Sequence, residues 1–362
     1  MSGRGSWHLR GVSLPEGGAV RDWWIADGRW RDEAVPDARE LPGGWVVPGG
    51  LVDAHLHLTM NFGRVMPHAD GSDALVAANQ GALRRAGVLA VRDAGYAWGG
   101  VPRPSFEGPR LQRAGAILAP PGRGYPNVCR SAPADRLVEV ALEEVAEGAE
   151  WVKVLADFPE ADGNWFAAPA NYPREVVATL VREAHAAGAR VMALSTGLAA
   201  AELVRAGVDS IEHGMALSED LVDAMADRGI AWSLTLATAE KHVGPLAAQD
   251  GPVGAYIRGR LDHVRRLLAR AAVRGVPLIA GTDEVGVGAL AREAESLSRF
   301  GLTNTQAIAA ISTSPRAWLG FPPPEAGQPA DVVTFAADPR ENLSSLARPA
   351  AVLFAGELVP LA

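Results

Sequence analysis

Through the middle of the chain, short apolar runs alternate with longer stretches in which apolar positions recur every three to four residues. The short runs have strand length and lack the polar alternation of a half-exposed sheet, so they read as strands buried on both faces. Eight are expected, at residues 51–55, 90–92, 111–114, 151–155, 190–194, 210–213, 231–236 and 278–281. Amphipathic helices are expected between most of them, for example over 134–147, 173–187, 198–206, 218–228 and 257–274. Eight βα units over roughly 265 residues match the size of a (β/α)8 TIM barrel, an α/β fold with a buried parallel sheet.

The two ends have another texture. Residues 7–10, 22–25 and 29–30 read as short strands separated by Pro15-Glu16-Gly17-Gly18 and Ala26-Asp27-Gly28, and residues 331–335 and 350–354 are β-rich, with a hairpin turn at Ala355-Gly356-Glu357. A closed barrel brings its ends together, so the terminal pieces are expected to pair into a small β-sandwich domain. The domain expectation is therefore residues 1–47 with 323–362 as the composite β domain and 48–322 as the barrel. Five of the 10 Trp, namely Trp7, Trp23, Trp24, Trp30 and Trp45, precede the barrel and suit the core of that domain or its packing on the barrel, with a subunit interface as the alternative.

Composition narrows the function classes. With 34 basic and 42 acidic residues the formal charge is −8, which disfavours a nucleic-acid binder, and 48% hydrophobic residues suffice for a large core. The N-terminus has no apolar signal segment, and nowhere do about 18 apolar residues run uninterrupted, so a cytoplasmic protein without a membrane partner is expected. A single cysteine, Cys129, excludes an intramolecular disulfide and a thiolate metal cluster. Any metal must then sit on histidines and carboxylates.

Active sites of such barrels lie at the C-terminal ends of the strands, which makes the residues there the candidates for chemistry. Strand 1 ends His55-Leu56-His57, and residues two apart on an extended segment face one side, so both imidazoles can converge on a cation. A bare pair reads equally as imidazoles satisfied in the core or at the surface. Strand 4 carries Lys153 in an apolar run, and the chain has only two lysines among its 34 basic residues. A buried ammonium tends to lose its proton, and the neutral amine can react with carbon dioxide to form a carbamate; pairing with a barrel carboxylate is the plainer reading. Strand 6 ends Glu212-His213-Gly214 and strand 8 ends Thr282-Asp283-Glu284, where Asp283 could also be a helix N-cap. The set carries more weight than any member of it.

On these residues the chain resembles the amidohydrolase superfamily, nearest its imidazolonepropionase-like and prolidase-like branch. Residues 47–57 (Val-Pro-Gly-Gly-Leu-Val-Asp-Ala-His-Leu-His) resemble the entry motif, 90–95 (Ala-Val-Arg-Asp-Ala-Gly) the strand-2 motif, 207–214 (Gly-Val-Asp-Ser-Ile-Glu-His-Gly) the strand-6 motif and 330–333 (Ala-Asp-Val-Val) the return to the small domain. The resemblance implies that His55, His57 and Asp283 bind a divalent cation, expected to be zinc, one per chain with a second left open. It further implies a carbamylated Lys153 as bridging ligand and His213 as ligand to a second metal or as the group polarising the substrate carbonyl. One position departs from the pattern: Leu194 stands where a strand-5 ligand histidine is expected, and His185, nine residues earlier at a helix end, does not replace it.

The expected function is a mononuclear metal-dependent hydrolase acting on an amide-like or cyclic C–N bond, less readily on an ester or lactone, with the cation lowering the pKa of water toward about 7. Asp283 would act as general base and acid and His213 would stabilise the developing oxyanion. The rival reading is an attenuated, metal-free binding protein that keeps the barrel. The substrate is expected to be a small molecule, with a homo-oligomer left open. Substrate-binding candidates in the βα loops are Arg64, His68, Arg123, Tyr125, Lys241 and His242, with Asn61 and Arg130 nearby; each equally reads as a solvated loop residue.

Overall fold

The computed structural model describes residues 5–61, 68–69, 72–96, 108–159, 163–284, 286 and 288–361. Its centre is a sheet of eight parallel strands in barrel order. These are β1 (Leu51–Leu56), β2 (Val88–Asp93), β3 (Arg110–Ala119), β4 (Trp151–Leu155), β5 (Arg190–Ser195), β6 (Ser210–His213), β7 (Ala231–Leu234) and β8 (Leu278–Ala280), each hydrogen-bonded to the next. Around them lie α1 (Asp73–Arg85), α2 (Leu137–Ala146), α3 (Arg174–Ala186), α4 (Ala200–Ala206), α5 (Glu219–Arg228), α6 (Leu236–Ala247), α7 (Pro252–Arg274), α8 (Ala289–Arg299), α9 (Asn304–Ala310) and α10 (Thr313–Leu319). The fold is a TIM barrel. Its strands are buried on both faces because helices cover the outside and side chains fill the inside, which is why the sequence shows continuous apolar runs.

The barrel closes at the seam between β8 and β1 by bonds at the strand ends. The amide of Asp283 donates to His55 O at 2.7 Å, and Thr282 donates from its amide and its hydroxyl to Asp53 at 3.1 and 2.7 Å. A Cβ on Gly281 would run into the backbone of His55, so glycine alone allows the two strands to approach this closely.

The terminal segments form one sheet. Its order runs Glu357–Leu358, Ala351–Phe354, Val332–Phe335, Trp45–Pro48, Trp7–Ser13, Val20–Ala26, Arg29–Arg31, with Arg39–Glu40 beside Trp7–Ser13. The two ends of the chain meet where Val332–Phe335 pairs antiparallel with Trp45–Pro48. Period-two alternation splits the faces: Val46, Val332 and Leu353 pack with Trp7, Leu9, Ile25 and Trp30, while Val47, Val333 and Val352 join the main core around the barrel.

Several expected boundaries shift. The strand expected over 231–236 ends at Leu234, because Leu236 already opens α6, whose first amides Leu236 N and Ala237 N donate to the buried carboxyl group of Glu293 at 2.9 and 2.7 Å. Strand β3 is longer than expected, running through Ala119. Helix α7 starts at Pro252, not 257, since proline is tolerated in the first turn, where its missing N–H is not needed. Among the described residues no helix is long and apolar enough to cross a membrane.

Candidate active site

Strand β1 places both imidazoles. Its pairing with β2 shifts register between Asp53 and Leu56. Val52 and Ala54 therefore pack inside the barrel and Leu56 outside it, while His55 and His57 both line a cavity at the mouth. Asp283, at the end of β8, faces them: its Oδ1 lies 3.5 Å from His55 Nε2 and 3.3 Å from His57 Nε2.

Hydrogen bonds on the far side of each ring set the tautomers. His55 Nδ1–H donates to the carboxylate of Glu212 at 2.5 Å, and His57 Nδ1–H donates to the carbonyl of Gly95 at 2.7 Å. Both partners only accept, so in the neutral ring each Nε2 carries a lone pair toward Asp283. Burial pushes the pKa of His55 down to about 3, with Lys153 adding to the shift, so this ring stays neutral. Its buried Nε2 has no hydrogen-bond partner among the described residues. Both Nε2 atoms thus converge on the carboxylate of Asp283, which burial would raise but which the neighbouring His57, His55 and His213 hold below the usual range. The three ligand atoms lie within 4.8 Å of one another, and this donor set fits a divalent cation of the zinc type.

Lys153 and His213 line the same cavity, outside that closest group of three. Burial lowers the pKa of Lys153 to about 8, against the pull of Glu212 and Asp283, and its buried Nζ has no hydrogen-bond partner among the described residues. His213 Nδ1 lies 2.7 Å from the hydroxyl of Thr235, and burial lowers its pKa as well. His213 and Asp283 both adopt left-handed backbone conformations, φ 66° and 57°, a strained state for residues with side chains. Asp283 does not cap a helix, since α8 begins at Ala289 behind Gly288.

Beneath the cavity lies a polar layer whose role no local sequence pattern announces. Arg92, fully buried on β2, donates to Ala54 O, to Ser210, to both carboxylate oxygens of Glu212 at 3.0 Å and to Ser233. Arg92 and His55 together hold Glu212 well below the carboxyl range, although burial alone would raise it. Asp93 accepts from Leu58 N and Gly95 N, both at 2.9 Å, and so fixes the loop whose carbonyl orients His57. The available signal was the one that marked Lys153, a charged residue inside an apolar strand run.

The remaining candidates are placed as follows. Leu194 faces the cavity, buried, and His185 on α3 instead bonds Asp209 at 2.8 Å. Tyr125 lines the cavity, its ring 5.2 Å from Phe158 and 6.1 Å from Trp165. Arg123 is turned to Asn171 Oδ1 and Pro169 O, and Arg130 to Glu143 and Glu144. Lys241 and His242, expected to look into the mouth, are exposed on α6, and Lys241 pairs with Glu284 at 3.1 Å; neither lines the cavity, because the chain turns helical right after Thr235. Arg64 lies outside the described residues, and of His68 and Asn61 the backbone alone is described, in the pairing Asn61↔His68. Burial raises the Cys129 thiol to about 11, which keeps it protonated.

The sequence pattern of the amidohydrolase family matches residues 45–359. The chain belongs to the amidohydrolase family. Uncharacterized proteins of Mycobacterium tuberculosis and Mycobacterium bovis are 34% identical to it over 363 residues, covering 96% of this chain and 94% of each relative. Among solved structures, an ochratoxinase of A. niger superposes with TM-score 0.80 at 19% identity, covering 99% of this chain and 96% of that one. A Xaa-Pro dipeptidase with bound methionine superposes with TM-score 0.78 at 20% identity, over 98% and 99%. These two likenesses establish the shared fold. Family membership together with the His–His–Asp group supports a metal-dependent hydrolase.

Proposed function

We propose that this amidohydrolase is a mononuclear hydrolase that cleaves an amide-like or cyclic C–N bond of a small molecule, with His55, His57 and Asp283 holding one divalent cation, zinc by donor type. The observation that carries the reading is the convergence of two outward lone pairs and a carboxylate oxygen at 3.3 and 3.5 Å. When bound, such a cation supplies Lewis acidity, which makes water nucleophilic near neutral pH.

The chain's own groups supply the rest. Asp283 is ionised and accepts the proton of the attacking water, then returns it to the leaving nitrogen. His213 Nδ1 lies 2.7 Å from the Thr235 hydroxyl, and in the tautomer in which that hydroxyl donates, Nε2–H is available to bond the substrate carbonyl oxygen as charge develops there. Lys153, within the same cavity, supplies an amine open to carbamylation. The apolar Leu194 at the strand-5 position argues against a second cation, and it is also the observation that favours the rival reading of a binding protein without turnover.

Metal analysis by plasma mass spectrometry on protein purified without chelator, with a screen of amides, cyclic imides and lactones, tests the proposal. About one cation per chain is expected, and Asp283→Asn is expected to remain folded while losing about 100-fold or more in turnover. No bound cation after loading with zinc or manganese in bicarbonate, or full activity of the variant, would overturn it.

A further inference from the structure

Besides its polar groups the cavity is lined by Met60, Ile117, Val128, Leu155 and Leu194. Ile117, Leu155 and Leu194 come from three adjacent strands, β3, β4 and β5, so they form a continuous wall. The five side chains are buried and packed into one cluster, against which Tyr125 and Phe158 also lie. Phe158 and Trp165 back the Tyr125 ring, with Phe158 and Trp165 centroids 5.2 Å apart.

No described residue of this wall is charged. Of the loop cations, the described Arg123 is turned to Asn171 and Pro169, and Arg130 to Glu143 and Glu144. Lys153, the one cation among the described lining residues, sits in the field of Glu212 and Asp283. A charged substituent held against Ile117, Leu155 and Leu194 would lose its hydration without a partner among these side chains, whereas an aliphatic group would be stabilised by the same dehydration.

We infer that the Ile117–Leu155–Leu194 wall is the recognition pocket for a compact apolar group of the substrate, carried beside the scissile bond, and that Leu194 is its specificity-determining residue. The inference rests on the hydrolase reading only in saying which bond lies next to that group. Binding of the apolar group itself requires no turnover.

The test is an NMR titration of the full-length, metal-loaded protein with propanamide, butanamide, pentanamide and 4-methylpentanamide, with 4-hydroxybutanamide as the polar counterpart of pentanamide. Each added methylene is expected to tighten binding about fourfold, and the hydroxyl to abolish the gain. Leu194→Asn is expected to flatten the series while propanamide still binds. The volume-conserving Leu194→Met is expected to preserve the trend, and thermal melts of both variants report folding. A flat series in the wild type, or a hydroxylated ligand that binds as well as pentanamide, overturns the pocket. A steep series with no bound cation and no hydrolysis across the amide, imide and lactone screen leaves the pocket standing and removes the hydrolase reading; hydrolysis with a flat series does the reverse.

Discussion

Glu212 shows how a residue that touches no substrate can decide what a site does. Its carboxylate accepts the hydrogen bond of His55 Nδ1–H and is itself clamped by Arg92, so the direction of the His55 lone pair depends on an ion pair buried in the barrel interior. Replacing Glu212 by Gln would leave a guanidinium buried without its counter-charge and loosen the imidazole. Partners of this kind typically affect metal affinity 10–100-fold. The expected outcome for Glu212→Gln is zinc affinity lower by about tenfold or more and a lower melting temperature, read by chelator competition and circular dichroism; an unchanged zinc affinity would show that His55 orients itself. His55, His57 and Asp283 were legible in the sequence because spacing and strand ends bring them forward. The roles of Arg92 and Glu212 were not, since both depend on neighbours 120 positions away.

At the scale of elements, period and length identified the strands, while their ends were set by partners outside them. The junction of β7 and α6 is the clearest case. Thr235 offers no side-chain cap to α6, and the helix starts where it does because Glu293 of α8 receives its first amides. Burial pushes the Glu293 carboxyl up to about 8 despite those two donors. A carboxyl protonated in the folded state and ionised in the unfolded chain favours folding at low pH, and that contribution is lost as pH rises from 4.5 to about 8. The melting temperature should therefore decline less steeply across this window in Glu293→Gln than in the wild type. Parallel profiles would assign the decline to other groups. The same junction sets Lys241 and His242 on a helix rather than in a loop at the mouth, because the carboxyl group that starts the helix is more than 50 residues away and no local pattern after strand 7 announces it.

For the molecule as a whole, the seam between β8 and β1 joins stability to chemistry, because the bonds that close the barrel also seat Asp283 against His55. Gly281→Ala would force a methyl into the His55 backbone, and overpacking of this kind costs about 1–3 kcal/mol or more. The variant is expected to unfold at lower urea concentration and to bind the cation more weakly; a neutral substitution would show that the seam yields. By itself the sequence determined the alternation of strands and helices, the pairing of the chain's ends in a separate β layer, and the polar groups that end strands 1, 4, 6 and 8, because these follow from local period and residue chemistry. Only the tertiary structure decided which lone pairs face the cavity, which arginines are already engaged, and that Leu194 belongs to an apolar wall. Those properties arise between strands distant in sequence, where the field and packing at one residue are set by side chains that no local pattern brings together.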